Sequence, residues 1–335
     1  MRNETRQHYN AYVRRQAELN GIEDGTQQFS VEPTVEQSLE ERIRESSGFL
    51  QRINIHGVRE QEGEKLGLDV GSTIASTTDT DLKERETADP TTLDKDRYRC
   101  QQTNFDTHVK YAKLDAWAKF PDFQTRLRNV VTQQIARDRL MIGFNGMSRS
   151  ATSDRAANPL LQDVNVGWLE HLRQNSQESV ISDIKVGNGG DYQNIDAAVY
   201  DATNELIAEW YRDDPELVVI MGRELLADKY LALINEHDAP TERNALDIII
   251  SNKQIGGLKT VRVPYFPSRS FAITRLNNLS IYYQEGSRRR HIMDNPRRDR
   301  IEDYQSVNEA YVVEDYNLVC LVENILVPDG SGGWA

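Results

Sequence analysis

The sequence predicts an α+β fold organised along one long helix, and three observations carry that reading. Residues 121–143 place Phe123, Leu127, Val130, Val131, Ile135 and Leu140 at helical spacing behind Pro121, a residue suited to a first turn. A helix of about 22 residues makes a rod of roughly 33 Å, and Gly143 and Gly146 mark its expected end. Residues 193–212 and 223–236 read as two more helices around short extended pieces at 216–221, 247–250, 259–267 and 270–274. Residues 278–283, 300–304, 309–316 and 317–327 favour strand.

The remaining elements follow in chain order. Residues 2–20 form an amphipathic helix with Tyr9, Tyr12, Val13, Ala17 and Leu19 near one face, stopped by Asn20-Gly21. Residues 21–33 read as a linker, because two glycines and a proline punctuate them. A second helix begins near Thr34, where Thr34-x-x-Gln37 fits a capping box, and Leu39 and Ile43 continue its stripe. Residues 49–60 are extended. Leu66, Leu68 and Val70 alternate, as do Phe105, Thr107, Val109 and Tyr111, which is the period of a strand.

Between those strands lies "GSTIASTTDT" (71–80) and a charged stretch, with Ile74, Leu82 and Leu93 the large aliphatic residues of 71–97. Residues 79–97 carry seven acidic and four basic side chains. Such a segment cannot bury itself in its own subunit. It is either a disordered insertion or a two-stranded arm stabilised by a neighbour; the flanking alternation favours the arm, since an isolated hairpin is marginal in water. Residues 193–212 carry Ile195, Val199, Leu206, Ile207 and Trp210 on the apolar side, and a loop at Gly187–Gly190 precedes them as a helix-capping turn. Residues 328–335 are a flexible tail.

Composition narrows the function. The 335 residues carry a net charge of −13, the wrong sign for a protein that wraps nucleic acid by neutralising phosphates. No run approaches the roughly 20 apolar residues of a membrane span, and the charged N-terminus has no signal-peptide core. Cys100 and Cys320 stand alone, as small packing residues of a reducing compartment. The six histidines form no metal-ligand spacing, and no GxSxG element or triad spacing appears. No catalytic residue, metal ligand or cofactor is therefore expected. The Gly187–Gly190 loop is the weak basis for an alternative α/β nucleotide-binding enzyme, but Tyr192 stands where the fingerprint needs its last glycine. The one basic cluster, with Arg288, Arg289, Arg290, Arg297 and Arg298, lacks interleaved aromatics, so fork-shaped ion pairs with the acidic arm of another subunit are the preferred reading.

In this order the segments "MRNETR", "AELNGI", "FSVEP", "ESSGFLQRINI", "GSTIASTTDT", "DFQTRLRN", "GFNG", "NPLLQDVNVGWL", "GGDY", "GRELLADKY", "VRVPYFP", "NLSIYY" and "YVVEDY" resemble the major capsid proteins of tailed phages, of the Hong Kong 97-type fold and the peduovirus type. The resemblance covers nearly the whole chain. It implies an N-terminal helix and linker (1–29), an N-arm (30–60), an E-loop hairpin (61–107), a P-domain with the spine helix (108–164) and its strands (278–327), an A-domain (165–277) and the tail. It implies self-assembly into pentamers and hexamers of an icosahedral head. That head would enclose double-stranded DNA without sequence-specific contact and form in the bacterial cytoplasm with a scaffold, a protease and a portal. It also implies maturation cleavage near Phe29 and Ser30. Thr73, Thr77 and Asp79, with the five arginines, are the candidate intersubunit contacts. An encapsulin-like compartment shell is the alternative within the same fold.

Overall fold

The computed structural model describes the chain apart from residues 66–67, 71–74, 76, 83, 86–90, 94–96, 118–122, 227–253, 329–332 and 335. The expected helix at 223–236 and strand at 247–250 fall largely or wholly outside the described residues, as does Thr73. In chain order the elements begin α1 (Asn3–Leu19), β1 (Phe29–Ser30), α2 (Pro33–Glu45), β2 (Asn54–Val58), β3 (Glu62–Glu64), β4 (Leu68–Val70), β5 (Thr91–Leu93), β6 (Arg97–Arg99), β7 (Gln101–Asn104) and β8 (Thr107–Lys110). They continue α3 (Tyr111–Trp117), α4 (Phe123–Asn145), α5 (Trp168–Asn175), β9 (Val180–Ser182), α6 (Ile195–Leu206), β10 (Val218–Met221), β11 (Gln254–Ile255) and β12 (Leu258–Val261). The last are β13 (Phe271–Thr274), β14 (Leu279–Gln284), β15 (Arg289–Asn295), β16 (Arg300–Val313) and β17 (Val319–Glu323).

β16 is the axis of the first sheet, whose order is β1-β15-β16-β14-β2, with β7 and β8 also paired to β16. The sequence splits this strand into 300–304 and 309–316; the structure makes it one strand ending at Val313. Gln305, Ser306 and Asn308 interrupt the apolar pattern, yet Ser306, Val307 and Asn308 pair with Asn104, Thr103 and Gln102 of β7. The second sheet runs β11-β12-β10-β13-β17-β9. It takes β17 out of the expected 278–327 strand segment, because Val319–Val322 pair with Phe271–Thr274. Val199 and Ala202 of α6 pack with this sheet's Val219, Phe271 and Cys320 in one apolar cluster.

α4 fills the core of the first layer. Ile135, Ala136, Leu140, Ile142 and Phe144 are buried together with Ile43, Leu50 and Ile53. Val130, assigned by spacing to the apolar face, is 62% exposed. The helix also runs through Gly143 rather than stopping there. Gly143 lies under the Trp168 ring, where a Cβ would collide with ring carbons. Trp168 stacks edge-on against Phe144 and Tyr311 at 5.2 and 5.5 Å, and its indole N–H donates to the Ser280 carbonyl at 2.9 Å. The helix ends at the next glycine, whose N–H donates to Ile142 O at 2.7 Å.

Other boundaries shift for local reasons. α2 starts at Pro33 with Glu32 as N-cap and no side-chain cap, so Thr34 lies inside the first turn. α6 is capped by Asn194, whose side chain accepts from Ala197 N, and it stops at Leu206; Trp210 belongs to a following 3₁₀ turn and is 57% exposed. Leu19 of α1 is exposed as well. The tail folds back: Pro328 bridges Trp334, and that ring covers Gly190, where a Cβ would come within 2.7 Å of it.

Five buried charged side chains join α2, α4 and the sheet. Arg139 Nη1 and Nη2 donate to the two Glu40 oxygens at 2.7 and 2.9 Å. Its Nε and Nη2 reach Glu309 Oε1 on β16 at 3.0 and 2.5 Å. Arg288 also donates to Glu40, and its Nε lies 3.6 Å from Glu36 Oε1. Glu36 accepts from the Gly286 N–H at 3.0 Å. Glu309 Oε2 has no hydrogen-bond partner among the described residues. Three carboxylates face two guanidiniums, and burial resolves the imbalance. Burial pushes the Glu309 and Glu36 carboxyls up. It opposes ionisation of Glu40 too, but the charges of Arg139 and Arg288 outweigh it and hold that carboxyl low.

Removing one member of such a cluster strands its partners. Arg139→Ala is therefore expected to lower unfolding free energy by about 3–5 kcal/mol, read by denaturant titration of the full chain; a loss under 1 kcal/mol would contradict the structure. The pH dependence has two limbs. Glu309 and Glu36 bind protons more tightly folded than unfolded, so their contribution rises as pH falls towards the ordinary Glu value of 4.5. Glu40 contributes above 4.5, and that contribution is lost as pH falls through its lowered folded value. Melting from pH 8 to 3 should show Glu309→Gln flattening the upper limb and Glu40→Gln lowering the pH 7 stability while flattening the acid limb.

Candidate assembly interface

The N-terminal segment is a docked element rather than a loose leader. On α3, Asp115 Oδ1 accepts from the Arg2 N–H at 2.9 Å and the Thr5 hydroxyl at 2.6 Å; these bonds hold its carboxyl below the usual range. Arg6 pairs with Asp294 of β15, which also accepts from the Tyr111 hydroxyl. Burial and that bond push the Tyr111 phenol up to about 12, and burial beside Asp294 does the same to Tyr9. Arg290 donates to the Tyr12 hydroxyl at 2.7 Å and to Gln16 Oε1 at 2.9 Å. It also forks onto Asp303 at 3.0 and 2.6 Å. Apolar anchoring of α1 is slight, resting on Val13 and Ala17.

The expected linker contains β1. Phe29 faces Arg290 and Ser30 faces Arg289 across an antiparallel ladder, and Val31 N donates to Arg288 O at 2.9 Å. Phe29 is buried while Ser30 is exposed. The candidate cleavage bond thus lies in an edge strand, and a protease would have to peel it from β15.

The arm holds two short antiparallel ladders. β3 pairs β6 with Glu62 opposite Arg99 and Glu64 opposite Arg97, and β4 pairs β5 with Leu68 opposite Leu93 and Val70 opposite Thr91. Both ladders share one register, and a turn at Asp79–Leu82 lies between their strands in the chain. There Leu82 N donates to Asp79 O at 3.2 Å, and Asp81 N to Asp79 Oδ1 at 3.0 Å. Cross-strand ion pairs, Glu62–Arg99 at 2.8 Å and Glu64–Arg97 at 3.5 Å, take the place of a core near the root. The root is fixed by Tyr98, whose ring meets Tyr282 edge-on at 5.1 Å. Thr77 and Asp79 are exposed, and Leu82 at the tip is 86% exposed.

The basic cluster divides in two. Arg288 and Arg290, expected to pair with the acidic arm of another subunit, are committed to Glu36, Glu40 and Asp303 of their own chain. The sequence could not place these acids, because they lie far from the arginines in the chain or across a strand pair. Arg289, Arg297 and Arg298 are exposed and make no ion pair among the described residues.

The glycine loop spends its amides on its own chain. Gly187 N donates to Tyr192 O at 2.8 Å and Gly190 N to Gly187 O at 3.0 Å, while Asp191 accepts from Lys185 N. Gly187 and Gly189 have φ of 148° and 84°, which explains the glycines without a phosphate. Among the described residues, no group of three or more His, Cys, Asp or Glu side chains is placed to hold a metal. Sequence reasoning missed the Asp294 and Asp115 docking points and the Arg139 cluster. One signal was available: Glu36 and Glu40 share the helical face of buried Ile43.

These features match known shell proteins. A family model described as phage major capsid protein, P2 family, matches residues 8–325. The capsid protein of Escherichia phage P2 is 51% identical, over 99% of this chain and 97% of its own length. The major capsid protein of Serratia phage KSP20 is 38% identical, over 99% of this chain and 100% of its own. A chain of the satellite phage P4 procapsid structure that includes the size determination (Sid) protein superposes with a TM-score of 0.81 at 48% identity, covering 99% and 100% of the two chains. A capsid chain of an empty GTA particle shares the fold at a TM-score of 0.52 and 15% identity, over 84% and 90% of the chains. The architecture is the Hong Kong 97 type. The chain belongs to the P2 family of phage major capsid proteins, the structural subunits of a tailed phage's icosahedral shell.

Proposed function

We propose that this subunit closes its shell as pentamers and hexamers around packaged double-stranded DNA, with the hairpin arm as a principal contact between copies. One observation carries the reading: the arm holds two short antiparallel ladders and an exposed Leu82, without a core of its own among the described residues. Thr77 and Asp79 are then contact residues of the arm, with Thr73 assigned by sequence alone. Arg289, Arg297 and Arg298 supply further cationic contact surface along β15 and its turn into β16.

In this reading residues 30–60 act as an N-arm, 61–107 as the E-loop and 165–277 as the A-domain. The P-domain is 108–164 with the strands from 278, less β17, which belongs with the second sheet. Assembly takes place in the bacterial cytoplasm with a scaffold, a protease and a portal from other genes. The N-terminal segment is removed near Phe29-Ser30 during maturation, and its sparse apolar anchoring supports such a loss.

Deleting residues 79–97 should leave a chain that melts within a few degrees of the parent but gives less than a tenth of its particle yield by electron microscopy. Parental yield from the deletion would remove the arm from assembly. Intact-mass spectrometry of mature particles should return a chain lacking about the first 29 residues; a full-length mass ends the cleavage reading.

A further inference from the structure

β16 loses its neighbour on one side before it ends. β14 pairs with it as far as Val313, whereas β7 leaves it after the Gln101–Glu309 pair. There the chain turns away: Cys100 N donates to Gln61 O at 2.8 Å, and β6 pairs with β3 instead. A wedge of about 280 Å³ opens between Ala310–Val313 of β16, β6 and α5. Two carbonyls on this edge are taken by side chains. Glu309 O accepts from the Asn165 amide at 3.0 Å, and Val313 O accepts from the Lys65 ammonium. Backbone N–H and C=O groups alternate between the two sides of a strand, residue by residue. Tyr311, midway between these two residues, therefore turns its own N–H and C=O to the wedge. Neither group has a hydrogen-bond partner there among the described residues.

The wedge is also positively charged. Lys65, Arg97 and Arg99 line it and, among the described residues, no carboxylate does, although the whole chain carries a net charge of −13. Lys65 is buried, with its ammonium 4.6 Å from the centre of the Tyr316 ring. Arg97 and Arg99 are exposed, and their pairs with Glu64 and Glu62 lie in water, where such pairs hold little. An open strand edge takes an extended backbone, and the cations around it take acidic side chains; strand addition to a sheet uses both. We propose that the wedge beside Tyr311 binds an extended acidic segment of another protein, which adds a short strand to β16. The segment's backbone pairs with the Tyr311 N–H and C=O, and its carboxylates meet Lys65, Arg97 and Arg99. A phosphate group would satisfy the cations but offers no donor to the Tyr311 carbonyl, which a peptide N–H supplies.

The test uses the full-length, unassembled chain and a fluorescent hexapeptide of alternating glutamate and valine. Titration should give a saturable rise in fluorescence anisotropy, and amide hydrogen exchange at Tyr311 should slow at least tenfold at saturation. The same peptide N-methylated at alternate amides keeps its charges and loses its strand edge, and should bind at least tenfold more weakly. A lysine–valine peptide should not bind. Arg97→Gln with Arg99→Gln, both exposed positions, should weaken binding about tenfold and leave the melting temperature within a few degrees of the parent. No saturable binding, equal binding of the N-methylated peptide, or unchanged exchange at Tyr311 overturns the proposal. Displacement of the peptide by equimolar oligothymidylate overturns it in favour of a phosphate-binding surface. Protection of the Tyr311 amide in assembled particles without any peptide overturns it in favour of a second copy of this chain filling the wedge.

Discussion

The pairing of Arg139 with Glu40 and Glu309 is the constraint on which the rest of the subunit depends. It ties together three segments that no single stretch of sequence connects: α2, the long helix α4 and the central strand β16. Arg288 extends it to the turn before β15. Five charges in an apolar interior are a poor route to stability, since well-packed hydrophobic residues often do as well. What they supply is direction. A bidentate guanidinium–carboxylate pair tolerates little rotation, so α2 can sit on α4 in one register. Glu309 faces Gln101 at the foot of β7, just beyond the arm.

The two sheets divide the work around that anchor. The first carries the projecting parts: β1 and β2 flank β15 and β14 on one side of β16, and the arm springs from β7 on the other. The second is shorter and more apolar, with Val219, Ile273, Cys320 and Leu321 buried. Its link to the first runs through α5, where Trp168 packs on Phe144 and Tyr311 and bonds the backbone of β14 while Arg173 pairs with Glu323 of β17 at 2.7 Å. A structural subunit of this kind needs no pocket for chemistry. It needs stiff roots under surfaces that only another copy can complete.

Local signals were legible and remote ones were not. The α+β class, the long helix and the arm could all be read, because each rests on a periodicity or on a shortage of apolar residues within one stretch. β16 was broken in two because Gln305, Ser306 and Asn308 are polar, and β7, the strand that pairs there, lies some 200 residues earlier. The docking of α1 was missed for the same reason: Asp115 and Asp294 are ordinary acids until the fold brings them to Thr5 and Arg6. Arg288 and Arg290 were recognised as pairing residues, and the partner was misassigned, since fork geometry announces a carboxylate without saying whose. The buried glutamates had a trace in sequence at positions 36 and 40, in line with Ile43.

The manner in which α1 is held has a kinetic meaning. A tethered helix that lets go stays at millimolar effective concentration beside its own site, so it returns far more often than it escapes. Contacts as modest as Arg6–Asp294 and Thr5–Asp115 are then sufficient to keep it seated. Severing the Phe29–Ser30 bond would change no contact of the helix itself. It would remove only the tether, and with it the local concentration, so a reversible opening would become a departure. The polar contacts that position the segment would then have to hold it without that local concentration.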